Sequence, residues 1–277
     1  MLVTGANGQL GQALRAASVH TAGLHFVFAA SSDLDICDPD SVRRNFELHK
    51  PDFCINAAAY TAVDKAESDR EAAFRINAEA VNYLASSCDE SNCTLIQIST
   101  DFVFDGKKRA PYLETDTASP LNVYGASKLA GESAAARCPK HFIVRTSWVY
   151  SHFGHNFFKT MLRLASERDR LTVVNDQMGT PTYAPDLASA LIRIVLSNSC
   201  QYGIYHYSNL GEATWFDFAT EIFRKNDVRI DLQPVPTAAF PTAAERPPYS
   251  VMDKSKIMRT FNLSIRPWED AVPSIRG

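Results

Sequence analysis

The chain has 277 residues, enough for one large domain or a domain with a smaller partner, and its 45% hydrophobic and 21% charged content is that of an ordinary globular protein. A net charge of −3 and a pI near 6.2 leave no basic footprint for nucleic acid or for an anionic membrane surface. No apolar run approaches the roughly 20 residues that span a bilayer, and Met1-Leu2-Val3-Thr4-Gly5 carries no signal-peptide pattern, so a cytoplasmic protein is expected. The six cysteines are scattered, with no C-x-x-C, and read as reduced thiols. His152 and His155 lack acidic or cysteine partners at metal-site spacing, so no metal is expected.

Leu2-Val3-Thr4 reads as a short first strand running into Gly5-Ala6-Asn7-Gly8-Gln9-Leu10-Gly11, after which Leu10, Leu14 and Ala17 recur at helical spacing. A strand, a glycine-rich turn and a helix N-terminus make a phosphate-binding turn, here in the variant spacing G-x-x-G-x-x-G. Leu24 to Ala30 reads as the second strand, followed by Ser31-Ser32-Asp33-Leu34-Asp35-Ile36 where an adenosine ribose would lie. Serines come first, Asp33 follows, and no arginine is near, which places NADPH ahead while leaving NADH open. Asp38-Pro39 starts a helix that runs to about Lys50. Phe53 to Asn56 is a buried strand ending in Ala57-Ala58-Ala59-Tyr60-Thr61-Ala62-Val63-Asp64, whose small residues let a ligand lie against the backbone. A helix is expected from Ser68 to about Cys88, then a strand from Thr94 to Ile98 that delivers Ser99, Thr100 and Asp101.

Phe102 to Leu121 is a long irregular connection, of the kind that is often functional. Next come a helix holding Tyr124 and Lys128 and a strand from Phe142 to Thr146 leading to Trp148. The β-α alternation to this point implies a Rossmann-type, doubly wound parallel sheet in an α/β protein, with ligands at the carboxyl ends of its strands. Residues 1–150 are the expected dinucleotide-binding domain. Residues 151–277 are read mostly as a smaller, less regular lobe for substrate, rich in proline, with segments near 171–174 and 203–207 returning to the dinucleotide-binding Rossmann domain. Further helices are expected over Asn156–Glu167, Pro185–Leu196 and Thr214–Phe223.

Tyr124 and Lys128 are four apart and share one face of their helix. An ammonium beside a phenol is expected to lower the phenol's pKa, and a tyrosine so tuned exchanges a proton with a carbonyl oxygen or an alcohol. The pair alone is a weak pattern. The glycine turn and the Ser99-Thr100-Asp101 strand end give it weight.

Taken together these residues resemble the extended short-chain dehydrogenase/reductase superfamily over nearly the whole chain. The strings Asn56 to Glu67, Ser99 to Gly106 and Pro120 to Gly125 resemble the dTDP-4-dehydrorhamnose reductase family in particular, as do Gln177 to Thr182 and Arg246-Pro247. The resemblance implies reduction of the C4 ketone of dTDP-4-dehydro-L-rhamnose by NAD(P)H, with the dTDP-sugar as the partner molecule. It implies Tyr124 as proton donor, Lys128 as the cation that tunes it and holds the nicotinamide ribose, and Thr100 as a partner of the carbonyl oxygen. It also implies a cofactor bed of Gly5, Asn7, Gly8, Gln9, Leu10, Gly11, Ser31, Asp35, Ile36, Ala57, Ala58, Ala59 and Tyr60, and a sugar site of Thr61, Val63, Asp101, Phe102 and Trp148. Some members dimerise through a metal held partly by an acidic residue two places after the third glycine. Here that place is Ala13, so no metal bridge is expected while a homodimer stays open. Two other functions share the fold: a non-catalytic NADP-binding subunit like the regulatory subunit of methionine adenosyltransferase, and a nucleotide-sugar epimerase. The intact Thr100, Tyr124 and Lys128 favour the reductase over the non-catalytic subunit.

Overall fold

Leu2, Val3 and Thr4 are all buried and form β1 (Leu2–Thr4), the strand about which the sheet divides. The computed structural model describes residues 1–274. On one side of β1 lies β2 (Val27–Ala29), shorter than the Leu24–Ala30 expected because an edge strand has one neighbour only. On the other side follow β3 (Phe53–Asn56), β4 (Thr94–Thr100) and β5 (His141–Thr146). After the short strands β6 (Val149–Tyr150), β7 (Arg170–Val174), β8 (Met178–Gly179) and β9 (Thr182–Tyr183), β10 (Gly203–His206) closes the far edge. The main sheet thus has six strands, all parallel, in the order β10-β5-β4-β3-β1-β2. The chain leaves β1 in one direction to β2 and returns past it to β3. Between β1 and β3 lies the topological switch point, where such sheets bind ligands.

Helices α1 (Gln9–Ser18), α2 (Pro39–His49), α3 (Val63–Ala66), α4 (Arg70–Phe74) and α5 (Ala80–Glu90) connect the first four strands, and α6 (Val123–Ala135) precedes β5. The helix expected over residues 68–88 is divided between α4 and α5 by a π turn at Arg75–Glu79. That turn presents Asn77, whose amide bonds both the N–H and the C=O of Tyr60 and the hydroxyl of Ser127. Such bulges are frequent at functional sites. Later helices are α7 (Phe157–Glu167), α8 (Ala184–Leu196), α9 (Trp215–Lys225), α10 (Ser255–Phe261) and α11 (Trp268–Ala271). Asn156 and Thr214 cap α7 and α9, the latter in a capping box with Asp217.

Two apolar layers enclose the main sheet, one under α1 and α8, the other under α2, α5 and the end of α6. A third core, with Tyr150, Phe158, Phe218 and Trp268, belongs to the lobe formed by α7, α9 and their neighbours. Here one expectation is corrected. The 171–174 strand does not return to the main sheet: β7 pairs in parallel with β12 (Asp231–Val235) in a separate two-stranded ribbon. The 203–207 segment does return, as β10. Alternation explains the difference, since β7 buries only Leu171 and Val173 and can be covered on one face.

Candidate active site

The carboxyl ends of β1, β3, β4 and β5 open into a cleft of about 630 Å³. Its first wall is the glycine turn. Gly11 packs so closely that a Cβ there would lie 2.4 Å from the Gly5 carbonyl oxygen. Gly8 lines the cleft, and a Cβ on it would meet only that same oxygen, at 3.3 Å, before reaching open space. Gly11 therefore serves packing and Gly8 leaves room for a ligand. Gln9 ties this turn to the lobe, accepting from Ser151 Oγ at 3.0 Å and Asn156 Nδ2 at 2.8 Å. Asn7, Leu10, Ala57, Ala58 and Ala59 extend this uncharged wall, and His155, next to the Gly154 that packs on Gln9, also lines the cleft.

The facing wall is chemical. Asn122 caps α6 through a 2.8 Å bond from the Gly125 N–H, and its amide also reaches the Glu245 carbonyl at 2.7 Å. A Cβ on Gly125 would stand 2.2 Å from the Phe102 carbonyl oxygen, so only glycine lets α6 lie against the end of β4. This contact brings Tyr124 beside Thr100 and Phe102, the two rings meeting edge to face at 5.8 Å. Lys128 Nζ donates to the Ile98 carbonyl at 2.7 Å. Thr100 Oγ1 donates to Asp101 Oδ1 at 3.0 Å, whereas Asp101 Oδ2 is buried without a hydrogen-bond partner.

Burial dominates the electrostatics. It pushes the Tyr124 phenol up to about 12, against the pull of the Thr100 hydroxyl and helped by the Asp101 charge. It pushes Lys128 down to about 8, against the Glu132 carboxylate one turn along α6. Burial also lifts the Asp101 carboxyl to about 6, against the pull of the nearby Ser250 and Thr100 hydroxyls. The expectation that Lys128 lowers the Tyr124 pKa is thus not met: desolvation of the phenol outweighs any influence of the ammonium, which is engaged by Ile98.

Thr61, Val63 and Trp148 also line the cleft. Trp148 holds φ at +45°, unusual for a bulky residue, and strain of this kind gathers at ligand sites. Its indole stacks on Trp215 at 3.6 Å and 8°, and Gly179 admits it, since a Cβ there would lie 2.6 Å from the ring. Arg246 lines the mouth of the cleft, bound bidentately to Asp64 at 3.0 and 2.7 Å. That pair joins α3 to the C-terminal segment.

The cleft wall does not include every residue the sequence nominated. Ser31, Asp35 and Ile36 follow β2, beyond the lining, and Ile36 is buried in the core. Asp33 accepts from the Ala30 N–H at 2.9 Å, and Asp35 accepts from the Cys37 N–H at 2.9 Å, so both carboxylates are engaged in local turns. Tyr60 turns its hydroxyl to Asp69 at 3.1 Å, and Gly5 lies beneath the turn at φ +65°. Sequence reasoning missed Trp215, Glu132 and Arg145, and the position of Arg246. Glu132 carried a signal, an acid four residues past Lys128 in a helix otherwise rich in small residues. Trp215 carried none, because its partner Trp148 is distant in sequence. Among the described residues no cluster of His, Cys, Asp or Glu could hold a metal ion.

Comparison with known proteins agrees with this architecture. The family model described as "RmlD substrate binding domain" matches residues 1–276. The dTDP-4-dehydrorhamnose reductase of Aggregatibacter actinomycetemcomitans is 42% identical, with 100% of this chain and 98% of that protein covered. The enzyme of the same name from Escherichia coli K12 is 43% identical, covering 98% of this chain and 95% of its own length. The crystal structure of dTDP-4-dehydrorhamnose reductase from Bacillus anthracis, in complex with NADP, superposes with a TM-score of 0.92 at 38% identity, covering 98% and 96% of the two chains. With a family model over almost its full length and relatives above 40% identity end to end, the chain belongs to the dTDP-4-dehydrorhamnose reductase family.

Proposed function

We propose that this cleft reduces the C4 ketone of dTDP-4-dehydro-L-rhamnose to dTDP-L-rhamnose with NADPH, NADH serving less well. The observation that carries the reading is the convergence of Thr100, Asp101, Tyr124 and Lys128 on one wall, opposite a glycine turn with space at Gly8. The turn fits a dinucleotide: it is uncharged, it opens at the N-terminus of α1, and the Ala57–Ala59 backbone lies alongside. When bound, NADPH supplies the hydride. Gly8 and its neighbours would receive the pyrophosphate, and Lys128 would hold the nicotinamide ribose.

The chain's own part is the proton. A phenol whose pKa stands near 12 is fully protonated at neutral pH, which is the state a reductase needs. A developing alkoxide is far more basic than tyrosinate, so Tyr124 Oη releases its proton to the sugar oxygen as the charge forms. Thr100 would align that oxygen by turning its one hydroxyl proton from Asp101 to the sugar, and the tyrosinate left behind would be offset by the Lys128 ammonium. Asp101 Oδ2, unpartnered and buried, is free to accept a sugar hydroxyl. The Trp148 and Trp215 stack supplies an apolar face for the sugar ring.

Residues 1–150 are read as the cofactor half and most of the rest as the substrate lobe, a division supported by the separate core around Phe218. Six free thiols fit a reducing, cytoplasmic setting. No helix among the described residues is long and apolar enough to cross a membrane. The test is NADPH consumption on adding dTDP-4-dehydro-L-rhamnose, with product identified by mass and NMR. NADPH binding without turnover would return the chain to a non-catalytic role.

A further inference from the structure

Lys128 reaches the cleft from the buried side of α6, and one turn further the same helix carries Glu132. That carboxylate is 4% exposed and is gripped by two strands. Arg145 on β5 holds it through Nε at 2.8 Å and Nη2 at 2.7 Å, and Ser99 on β4 donates to Oε1 at 2.5 Å. Ser99 and Arg145 face each other in register, so the acid is pinned to adjacent strands. Behind it, Arg145 Nη1 stands 3.4 Å from His206 Nε2, and the guanidinium lies 5.1 Å over the Phe104 ring. A buried ion pair is a poor source of stability, because desolvating both charges offsets their attraction and apolar residues would serve as well. Its place beside the lysine gives it another use.

We infer that Glu132 is a positioning residue for the reaction: clamped by Arg145 and Ser99, it keeps the Lys128 ammonium charged and set toward the cleft. The inference rests on the reading of Lys128 as the cation that holds the cofactor ribose. The groups around Lys128 are few. Helix α6 itself contributes Tyr124 and Glu132, and the turn after β4 contributes Asp101. From β5 comes Arg145 and from β10 His206, both beyond the carboxylate. The π turn packed on α6 offers the Asn77 amide to Ser127, and its two charged residues, Arg75 and Glu79, are exposed at the surface. Among these Glu132 is the group that opposes the effect of burial on Lys128. Arg145 completes the device, since without it the carboxylate would be an unpaired buried charge.

The test follows NADPH affinity by fluorescence titration from about pH 7 to about pH 9.5, with kcat/KM in parallel, where loss of the Lys128 proton falls. In the native protein affinity should fall across this window, and Lys128→Met should remove that limb and so assign it. Glu132→Gln should move the limb to lower pH by about half a unit or more, at least roughly threefold in affinity on the alkaline side. A double variant, Glu132→Gln with Arg145→Gln, leaves no unpaired buried ion and should fold and show the same displaced limb. A folded double variant that titrates like the native protein would show Glu132 to be no more than a partner for Arg145, and would overturn the inference. If the native protein binds NADPH but leaves the keto-sugar unreduced, the reductase reading falls, while the binding titration still decides the role of Glu132.

Discussion

The two walls of the cleft are built on opposite principles. The glycine turn and the Ala57–Ala59 run carry no ionisable side chain: they offer backbone, a helix N-terminus and space, with His155 beside them from the lobe. The wall on α6 is made of titratable groups, half-buried Tyr124 with buried Lys128 and Asp101 in front and buried Glu132, Arg145 and His206 behind. One side should therefore fail when volume is added, and the other when charge is changed. Binding the cofactor needs close approach, which charge cannot supply. Moving a proton needs shifted acidities, and burial supplies those here.

The largest effect should come from the charged wall. Tyr124→Phe removes the proton donor and should lower kcat by at least about 10²-fold while leaving NADPH affinity nearly unchanged, measured by steady-state rates beside a fluorescence titration. Substitutions on the glycine wall should separate binding from folding. Gly8→Val projects into the cleft and should weaken NADPH binding by more than about tenfold with the melting temperature kept. Gly11→Val drives a side chain into backbone 2.4 Å away and should destabilise the fold by about 1–3 kcal/mol or more. Equal losses of binding and stability in the two variants would erase the distinction between them.

The buried groups also predict an acid response. His206 is held neutral, its pKa lowered from 6.5 to about 3, by burial first and by Arg145 second. Below pH 6.5 the unfolded chain takes up a proton that the folded one refuses, so this contribution is complete above that pH and is lost as pH falls toward 3. Asp101, raised to about 6, acts in the opposite sense between 3.8 and 6 and offsets part of the loss. Denaturant melts of the native protein and His206→Asn across this range should show the shallower slope in the variant. Parallel slopes would mean that the imidazole is not neutral in the fold.

The smallest effect concerns cofactor choice. Asp33 and Asp35 are engaged by backbone N–H groups, Ser31 and Ser32 are exposed, and the segment itself carries no arginine. NADPH should lead NADH by no more than a factor of about ten in kcat/KM, about 1.4 kcal/mol. Ser32→Arg should widen that margin by offering the 2′-phosphate a bidentate partner. A hundredfold preference for NADH in the native protein would show that one of these aspartates leaves its turn to grip the ribose.

What could be read from sequence follows from how local each feature is. The glycine turn, the Asp38 cap, Tyr124 and Lys128 are set by neighbours within a turn or two, and the structure places them as the spacing implied. The parallel sheet followed from strand and helix alternation. Features made by distant pairs were not legible: Trp148 against Trp215, Arg145 on Glu132, and Arg246 on Asp64. The β7 strand was visible, but its partner β12 lies in a proline-bearing segment that does not look like a strand. The acidity of Tyr124 was misjudged for a related reason. Helical spacing reveals that a lysine is near, but not how deeply the pair is buried.

The central claim is that hydride arrives at one face of the C4 ketone while Tyr124 delivers the proton to its oxygen. The direct measurement is isotopic. The native protein and Tyr124→Phe are given dTDP-4-dehydro-L-rhamnose with NADPH deuterated at its transferable position, and the sugar product is analysed by NMR. The account predicts dTDP-L-rhamnose with deuterium at C4, formed at a rate at least about 10²-fold lower in the variant. Product without deuterium at C4, or equal rates in the two proteins, would contradict it.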